Sequence, residues 1–225
     1  MAVHVPGWAR RTVGFDTETT GTDENARIIE FGAVVWEDGL KVVSLSWLLN
    51  PGEVDLADPN IRRAFEVNQI DPDSLKDKPT FAQVFDQIRH ALGQADVRVA
   101  HNSPFDQRMM RQEFQRAVKQ GLLKPEDAKA PGRHITLDTL AWDLVLNPDA
   151  RGRSLAAVAE RWGVAGWEAH RAAGDAEAAA RILQAMAPKM PGCEELADIQ
   201  SLAQRKWQAI MDAKRARDAQ NGARS

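Results

Sequence analysis

Asp16 and Glu18 are the first residues of this 225-residue chain whose types and spacing point to chemistry. They stand in Arg11-Thr12-Val13-Gly14-Phe15-Asp16-Thr17-Glu18-Thr19-Thr20-Gly21, where Thr12 to Phe15 read as the start of a buried strand and Gly21 as the turn that stops it. Residues two apart in an extended chain face one side, so both carboxylates address one spot. No basic residue lies between them. Two like charges held that close raise each other's pKa unless a cation joins them, which leaves a proton-sharing pair or a metal site. For an Asp-x-Glu taken alone, a helix cap or a solvated turn is the competing reading.

Three later residues add to the pair. Asp106 falls in the first turn of a helix expected after a strand, in His101-Asn102-Ser103-Pro104-Phe105-Asp106. Asp175 is expected to open another helix, with His170 five positions ahead in His170-Arg171-Ala172-Ala173-Gly174-Asp175. On one ideal helix that offset aims the two side chains apart, and a break at Gly174 relieves the conflict. Each residue has an ordinary alternative, as a first-turn acid or a surface histidine. Together they describe one site built where strands meet helices.

The elements needed to hold that site are legible in order. Arg27 to Trp36 and Leu40 to Leu49 read as strands joined by a Glu37-Asp38-Gly39 hairpin, and Asn50-Pro51-Gly52 ends the meander. Pro59 to Val67 suits a short helix. Thr80 opens a clearer one, with Phe81, Val84, Phe85, Ile88 and Leu92 at three-and-four spacing. Asp96 to Ala100 is a short strand, and Ser103-Pro104 then caps a helix carrying Phe105, Met109, Met110, Phe114 and Val118. His134 to Leu137 is the last strand, followed by helices from Asp138 to Leu146, Leu155 to Trp162 and Asp175 to Met186. A meander followed by alternating helices and strands implies an α/β domain, a mixed sheet covered by helices.

Past Pro188 and Pro191-Gly192, Glu194 to Arg217 reads as one long helix. Leu196, Ile199, Leu202, Ala203, Trp207, Ile210 and Met211 form its apolar stripe, which is expected to lie on the domain, while Lys206, Lys214, Arg215 and Arg217 complement the helix dipole. A nucleic-acid rim or a docking helix is the functional alternative.

Composition narrows the class. Hydrophobic residues make up 44%, enough for a core, yet no apolar run approaches the roughly 20 residues that span a bilayer, so no membrane association is expected. Met1 to Trp8 lacks a basic start and an apolar stretch, so no export signal is expected either. Cys193 is the only cysteine, which excludes an internal disulfide or a thiolate cage and fits a cytoplasmic location. A net charge of −3 argues against bulk electrostatic coating of nucleic acid, but not against an enzyme that gathers carboxylates around metal ions.

The motifs Asp16-Thr17-Glu18-Thr19-Thr20-Gly21, His101-Asn102-x-x-Phe105-Asp106 and His170-x-x-x-x-Asp175 are similar to the three exonuclease motifs of the DEDDh family, the group that contains the proofreading (epsilon) subunit of bacterial DNA polymerase III. Softer matches at Arg27 to Ala33, Asp77 to Phe81 and Leu137 to Leu140 extend the resemblance over about Arg11 to Ala187. It implies a ribonuclease-H-like five-stranded sheet over 11–187, with 1–10 as a lead-in and 188–225 as a helical tail.

The implied reaction is 3′-to-5′ hydrolysis of terminal phosphodiesters, releasing nucleoside monophosphates with two divalent ions, Mg²⁺ or Mn²⁺. By resemblance, Asp16 bridges both ions, Glu18 and Asp175 hold the nucleophile-side ion, and Asp106 helps to position the other. His170 takes the proton of the attacking water, a task that imidazoles, titrating ordinarily at about pH 6.5, perform well. A sister group uses tyrosine there, and this chain has none. Thr19, Asn102 and Phe105 match positions near the terminal nucleotide.

The favoured substrate is the 3′ end of single-stranded DNA, because Thr19-Thr20 is closer to the DNA-proofreading branch than to the oligoribonuclease branch, which usually has methionine first. RNA trimming and a catalytically silent module that binds a polymerase or nucleic acid are the alternatives, and a DNA polymerase is a further candidate partner. Val67-Asn68-Gln69-Ile70 departs from the Val-His-Gly-Ile usual in proofreading subunits, and no sliding-clamp peptide stands in the tail.

Overall fold

In the computed structural model, residues 6–95, 97–128 and 135–222 are described. Met1 to Val5 of the lead-in, Asp96 and His134 as expected strand starts, and the last three residues of the tail lie outside them. The apolar runs near the N-terminus form the meander that their alternation implies. β1 (Arg11–Thr19) pairs antiparallel with β2 (Ile28–Glu37), and β2 with β3 (Leu40–Leu48). Asp38 and Gly39 turn the hairpin at φ of 49° and 81°, the left-handed pair that a two-residue loop between twisted strands requires. β4 (Val97–Ala100) and β5 (Ile135–Asp138) run parallel to β1, so the sheet order is β3-β2-β1-β4-β5. This is the expected mixed five-stranded sheet.

Helices cover both faces. α1 (Pro59–Asn68) and α2 (Phe81–Leu92) lie between β3 and β4, and α3 (Ser103–Lys119) crosses from β4 to β5. α4 (Thr139–Leu146), α5 (Leu155–Arg161), α6 (Ala172–Met186) and α7 (Cys193–Gly222) follow. The side-chain period of two divides β1 between two cores. Val13 and Phe15 join Phe31, Val84, Ile88 and Met109 beneath α2 and α3. On the opposite face, α6 lies directly on the sheet. A Cβ at Gly14 would sit 2.1 Å from the Ala176 carbonyl oxygen, and one at Gly32 would sit 2.2 Å from the Ala172 carbonyl carbon. Only glycine permits that approach. Asp16 and Glu18 continue the Gly14 side of β1, and Glu30 the Gly32 side of β2, so all three acids run toward the N-terminus of α6.

Three expectations need correction. α6 begins at Ala172, not Asp175, and Gly174 lies inside its first turn. The chain breaks instead at His170, whose φ is 61°, and at extended Arg171. Ser103 does not cap α3: the cap position is Asn102 at φ 65°, and the Ser103 hydroxyl is buried without a partner among the described residues. The stripe of α7 covers the domain only in part. Leu196, Gln200 and Ala203 are buried against α4 and β5, whereas Leu202 and Ile210 are 50% and 45% exposed. Among the described residues, no helix is long and apolar enough to cross a membrane.

Candidate active site

β1 carries Asp16 and Glu18 past the edge of the core, and the first turn of α6 brings Asp175 beside them. One carboxylate oxygen from each of the three lies within 4.8 Å of the others. Asp106, from the first turn of α3, is close enough for its charge to act on Asp16 but is not one of the three. Its Oδ1 accepts two hydrogen bonds from Thr17, from the backbone N–H at 3.0 Å and the hydroxyl at 2.7 Å. Thr17 therefore locks β1 to α3 between the two strand acids. Its partner is 89 positions away, and nothing local in the sequence signals the pairing.

The electrostatics of this cluster are costly without a cation. Burial, then the charges of Asp106, Glu18 and Asp175, hold the Asp16 carboxyl well above the usual carboxylate range. Burial, then Asp175 and Glu30, push Glu18 up to about 7 against the opposing charge of Arg171. Asp106 rises to about 7 through burial, opposed by its Thr17 hydrogen bonds. Asp175 is raised by burial, opposed by the N–H groups of Trp167 and His170. Converging oxygen donors of raised basicity are the ligand chemistry that hard divalent cations take, so the residues present fit a divalent metal ion.

His170 is exposed in the turn ahead of α6, and its backbone N–H donates to Asp175 Oδ2 at 3.3 Å. The other Asp175 oxygen accepts the indole N–H of Trp167 at 3.0 Å. Arg171 is committed to buried Glu30, with Nε and Nη2 at 3.1 and 3.0 Å. The Ala172 N–H also donates to Glu30, at 3.3 Å, so the start of α6 is pinned to β2. Neither Trp167 nor Glu30 stood out as a site residue in the sequence: Glu30 meets Arg171 141 positions away, and Trp167 reaches Asp175 across an irregular turn that carries no periodic signal.

A cleft of about 870 Å³ opens beside Glu18, with Thr19 and half-buried Phe105 on one wall and Asn60, Arg63 and Val67 of α1 on the other. The Arg108 guanidinium carbon lies 5.3 Å from the Phe105 ring centroid. Thr19 bonds the Gly21 carbonyl through its hydroxyl, and its own carbonyl accepts from buried Asn68 at 3.1 Å. Asn68, the departure from the family pattern, thus ties the cleft wall to the end of β1. Gln69 follows in the left-handed conformation at φ 52° where the family usually has glycine. Asn102 donates its backbone N–H to Asp138 at 2.8 Å, which sets the entry to α3.

His101 is a structural residue. Its Nε2 donates to the Arg153 carbonyl at 2.8 Å, which leaves Nδ1 to accept from the Thr139 hydroxyl at 2.9 Å. Burial pushes its imidazole down to about 4. A neutral imidazole that resists protonation when folded contributes stability that is complete above pH 6.5, its ordinary value, and is lost as pH falls through about 4. Urea unfolding between about pH 7 and about pH 4.5 should show a steeper loss for wild type than for His101→Gln. Parallel losses would remove His101 as a cause of acid sensitivity.

Comparison with known proteins shows the family and the fold. The RNase T family model, described as Exonuclease, matches residues 13–183. DNA polymerase III PolC-type of Clostridium perfringens is 30% identical over 204 residues, 90% of this chain but 13% of that protein. The PolC-type polymerase of Bacillus subtilis is 30% identical over 175 residues, 77% of this chain and 11% of its own length. The chain thus spans about an eighth of the curated relatives it matches. Among solved structures, Exonuclease X in complex with 5′ overhanging duplex DNA superposes with a TM-score of 0.63 at 24% identity, covering 84% of this chain and 99% of that one. E. coli Exonuclease I in complex with a dT13 oligonucleotide gives 0.59 at 18%, covering 78% and 40%. These two likenesses show a shared fold. The chain belongs to the family that the RNase T model describes as Exonuclease.

Proposed function

We propose that the protein removes nucleotides from the 3′ end of single-stranded or frayed DNA as nucleoside monophosphates. The observation that carries this reading is the convergence of Asp16, Glu18 and Asp175 within 4.8 Å, beside a cleft of about 870 Å³. Asp16, Glu18 and Asp175 are assigned to one divalent ion, and Asp106 with Asp16 to a second. Bound Mg²⁺ or Mn²⁺ would offset the carboxylates and stabilise charge on the attacked phosphate and the leaving oxygen.

The chain's own residues do the rest. His170, exposed in the turn ahead of α6, takes a proton from the attacking water. Phe105 offers a ring face to the terminal base, and Asn102 stands at the same junction. Arg171 holds no phosphate in this reading, since its guanidinium is used on Glu30. We assign the activity to residues 11–187, with 188–225 as an appended tail.

DNA is favoured because the PolC-type relatives are DNA polymerases and the solved neighbours named above are bound to DNA. The same relatives make a DNA polymerase a candidate partner. RNA is the alternative substrate, supported by a TM-score of 0.60 to a 3′-exonuclease that recognises a histone mRNA stem-loop. The test uses 5′-labelled single-stranded DNA and RNA of one sequence with purified protein and Mn²⁺. The reading expects a ladder shortening from the 3′ end, faster on DNA. Faster RNA trimming would favour the alternative. No mononucleotide release from any polynucleotide would mean a silent binding module.

A further inference from the structure

We propose that Trp167 is a positioning residue of the hydrolytic centre, its indole N–H fixing the Asp175 carboxylate and, through it, the turn that carries His170. The proposal rests on the exonuclease reading above and concerns a residue outside the three motifs. Trp167 Nε1 donates to Asp175 Oδ1 at 3.0 Å while the His170 backbone N–H reaches Oδ2 at 3.3 Å. One carboxylate therefore fastens both ends of the 167–170 turn to the first turn of α6.

The turn needs such fasteners. Gly163, Gly166 and His170 stand at φ of 69°, 74° and 61°, so the segment follows no regular element that could hold it. Gly174 lets the segment lie flat on the helix, for a Cβ there would sit 1.9 Å from the Glu168 carbonyl oxygen. The Trp167 ring is half-buried and leans on the apolar cluster that includes Val158 and Ile182, which gives its N–H a fixed direction. A phenyl ring would fill similar space but donate nothing.

An ionised carboxylate has about four acceptor sites. The two N–H donors occupy one site on each oxygen and leave the others for a cation shared with Asp16 and Glu18. Donors that orient a metal-ligating group are typically worth about 10–100-fold in metal affinity or activity. Trp167 supplies that orientation from the same segment that holds the general base, so ion and base are placed by one contact.

Trp167→Phe tests the idea, because it keeps the ring and deletes the donor. Calorimetric titration of the DNA-free protein with Mn²⁺ should show affinity weakened by about 10-fold. On single-stranded DNA, kcat should fall comparably while KM stays within about twofold. Tm should stay within about 4 °C of wild type, since packing is retained. Wild-type Mn²⁺ affinity in the variant would overturn the proposal, as would an activity loss that merely follows a lowered Tm.

Should the variant fail to fold, the wild-type protein still decides. Its Trp167 indole N–H resonance should be protected from solvent exchange and shift on addition of Mg²⁺, and exchange at the rate of a free indole would overturn the proposal. If wild type binds Mn²⁺ but hydrolyses no polynucleotide, the exonuclease reading fails, while the Mn²⁺ titration of Trp167→Phe still judges this contact.

Discussion

Asp16→Asn should abolish nucleotide release, by more than about 10³-fold, and at the same time make the metal-free protein more stable. The two effects share a cause. Asp16 lies between the charges of Asp106, Glu18 and Asp175 and is pushed well above the usual carboxylate range by burial and by those neighbours. A carboxylate whose folded pKa exceeds its unfolded one destabilises the fold once ionised. That penalty is absent below the unfolded value and grows as pH rises through the folded value. Glu18 carries a penalty of the same sign, being raised from 4.5 to about 7.

In EDTA, the Tm gain of Asp16→Asn should therefore be larger at about pH 8 than at about pH 5. Each kcal/mol of relief raises Tm by about 2–4 °C in a chain of this size. Adding Mn²⁺ should reverse the order, stabilising wild type by mass action and the variant much less. An unchanged or lower Tm for the variant in EDTA at the higher pH would show that the acids do not strain the fold. Retained hydrolysis would remove Asp16 from the chemistry.

His170→Asn should lower kcat by about 10²–10⁴-fold while leaving Mn²⁺-induced stabilisation nearly intact. Asparagine is the appropriate replacement because His170 sits at φ 61°, a left-handed conformation that asparagine tolerates better than most residues. The separation follows from which atoms touch Asp175. The contact at 3.3 Å comes from the His170 backbone N–H, which any residue except proline supplies, so the ring is free for the water. Thermal shifts with and without Mn²⁺ beside single-turnover rates check both halves. A joint loss of rate and Mn²⁺ stabilisation would mean that the imidazole acts on the ion and not on the water.

The shared side of Asp16 and Glu18 was legible in the sequence because that geometry is local. Period two sets Asp16 and Glu18 on one side of β1, and the same rule places them beyond Gly14 on the face that α6 covers. The hairpin at Asp38-Gly39 and the helix opening at Thr80 were legible for the same reason, since each is decided by a few adjacent residues. The supporting contacts were not. Thr17 with Asp106, Arg171 with Glu30 and Asn68 with Thr19 join residues 89, 141 and 49 positions apart, and no periodicity announces such pairs.

Gly174 misled in an instructive way. It reads as a helix breaker, yet α6 runs through it, and its missing side chain serves the close approach of Glu168. The break that frees His170 comes from the backbone of His170 itself. The tail shows the opposite case. The stripe on α7 is correctly apolar but outruns the surface it lies on, because the length of a helix says nothing about the extent of its neighbour.

The most direct test of the whole account is anomalous diffraction at the manganese edge from crystals of the wild-type protein grown with Mn²⁺. Peaks are expected among Asp16, Glu18 and Asp175 and on the Asp106 side of Asp16, with the His170 ring facing the gap. Manganese bound elsewhere, with those four carboxylates uncoordinated, would contradict it.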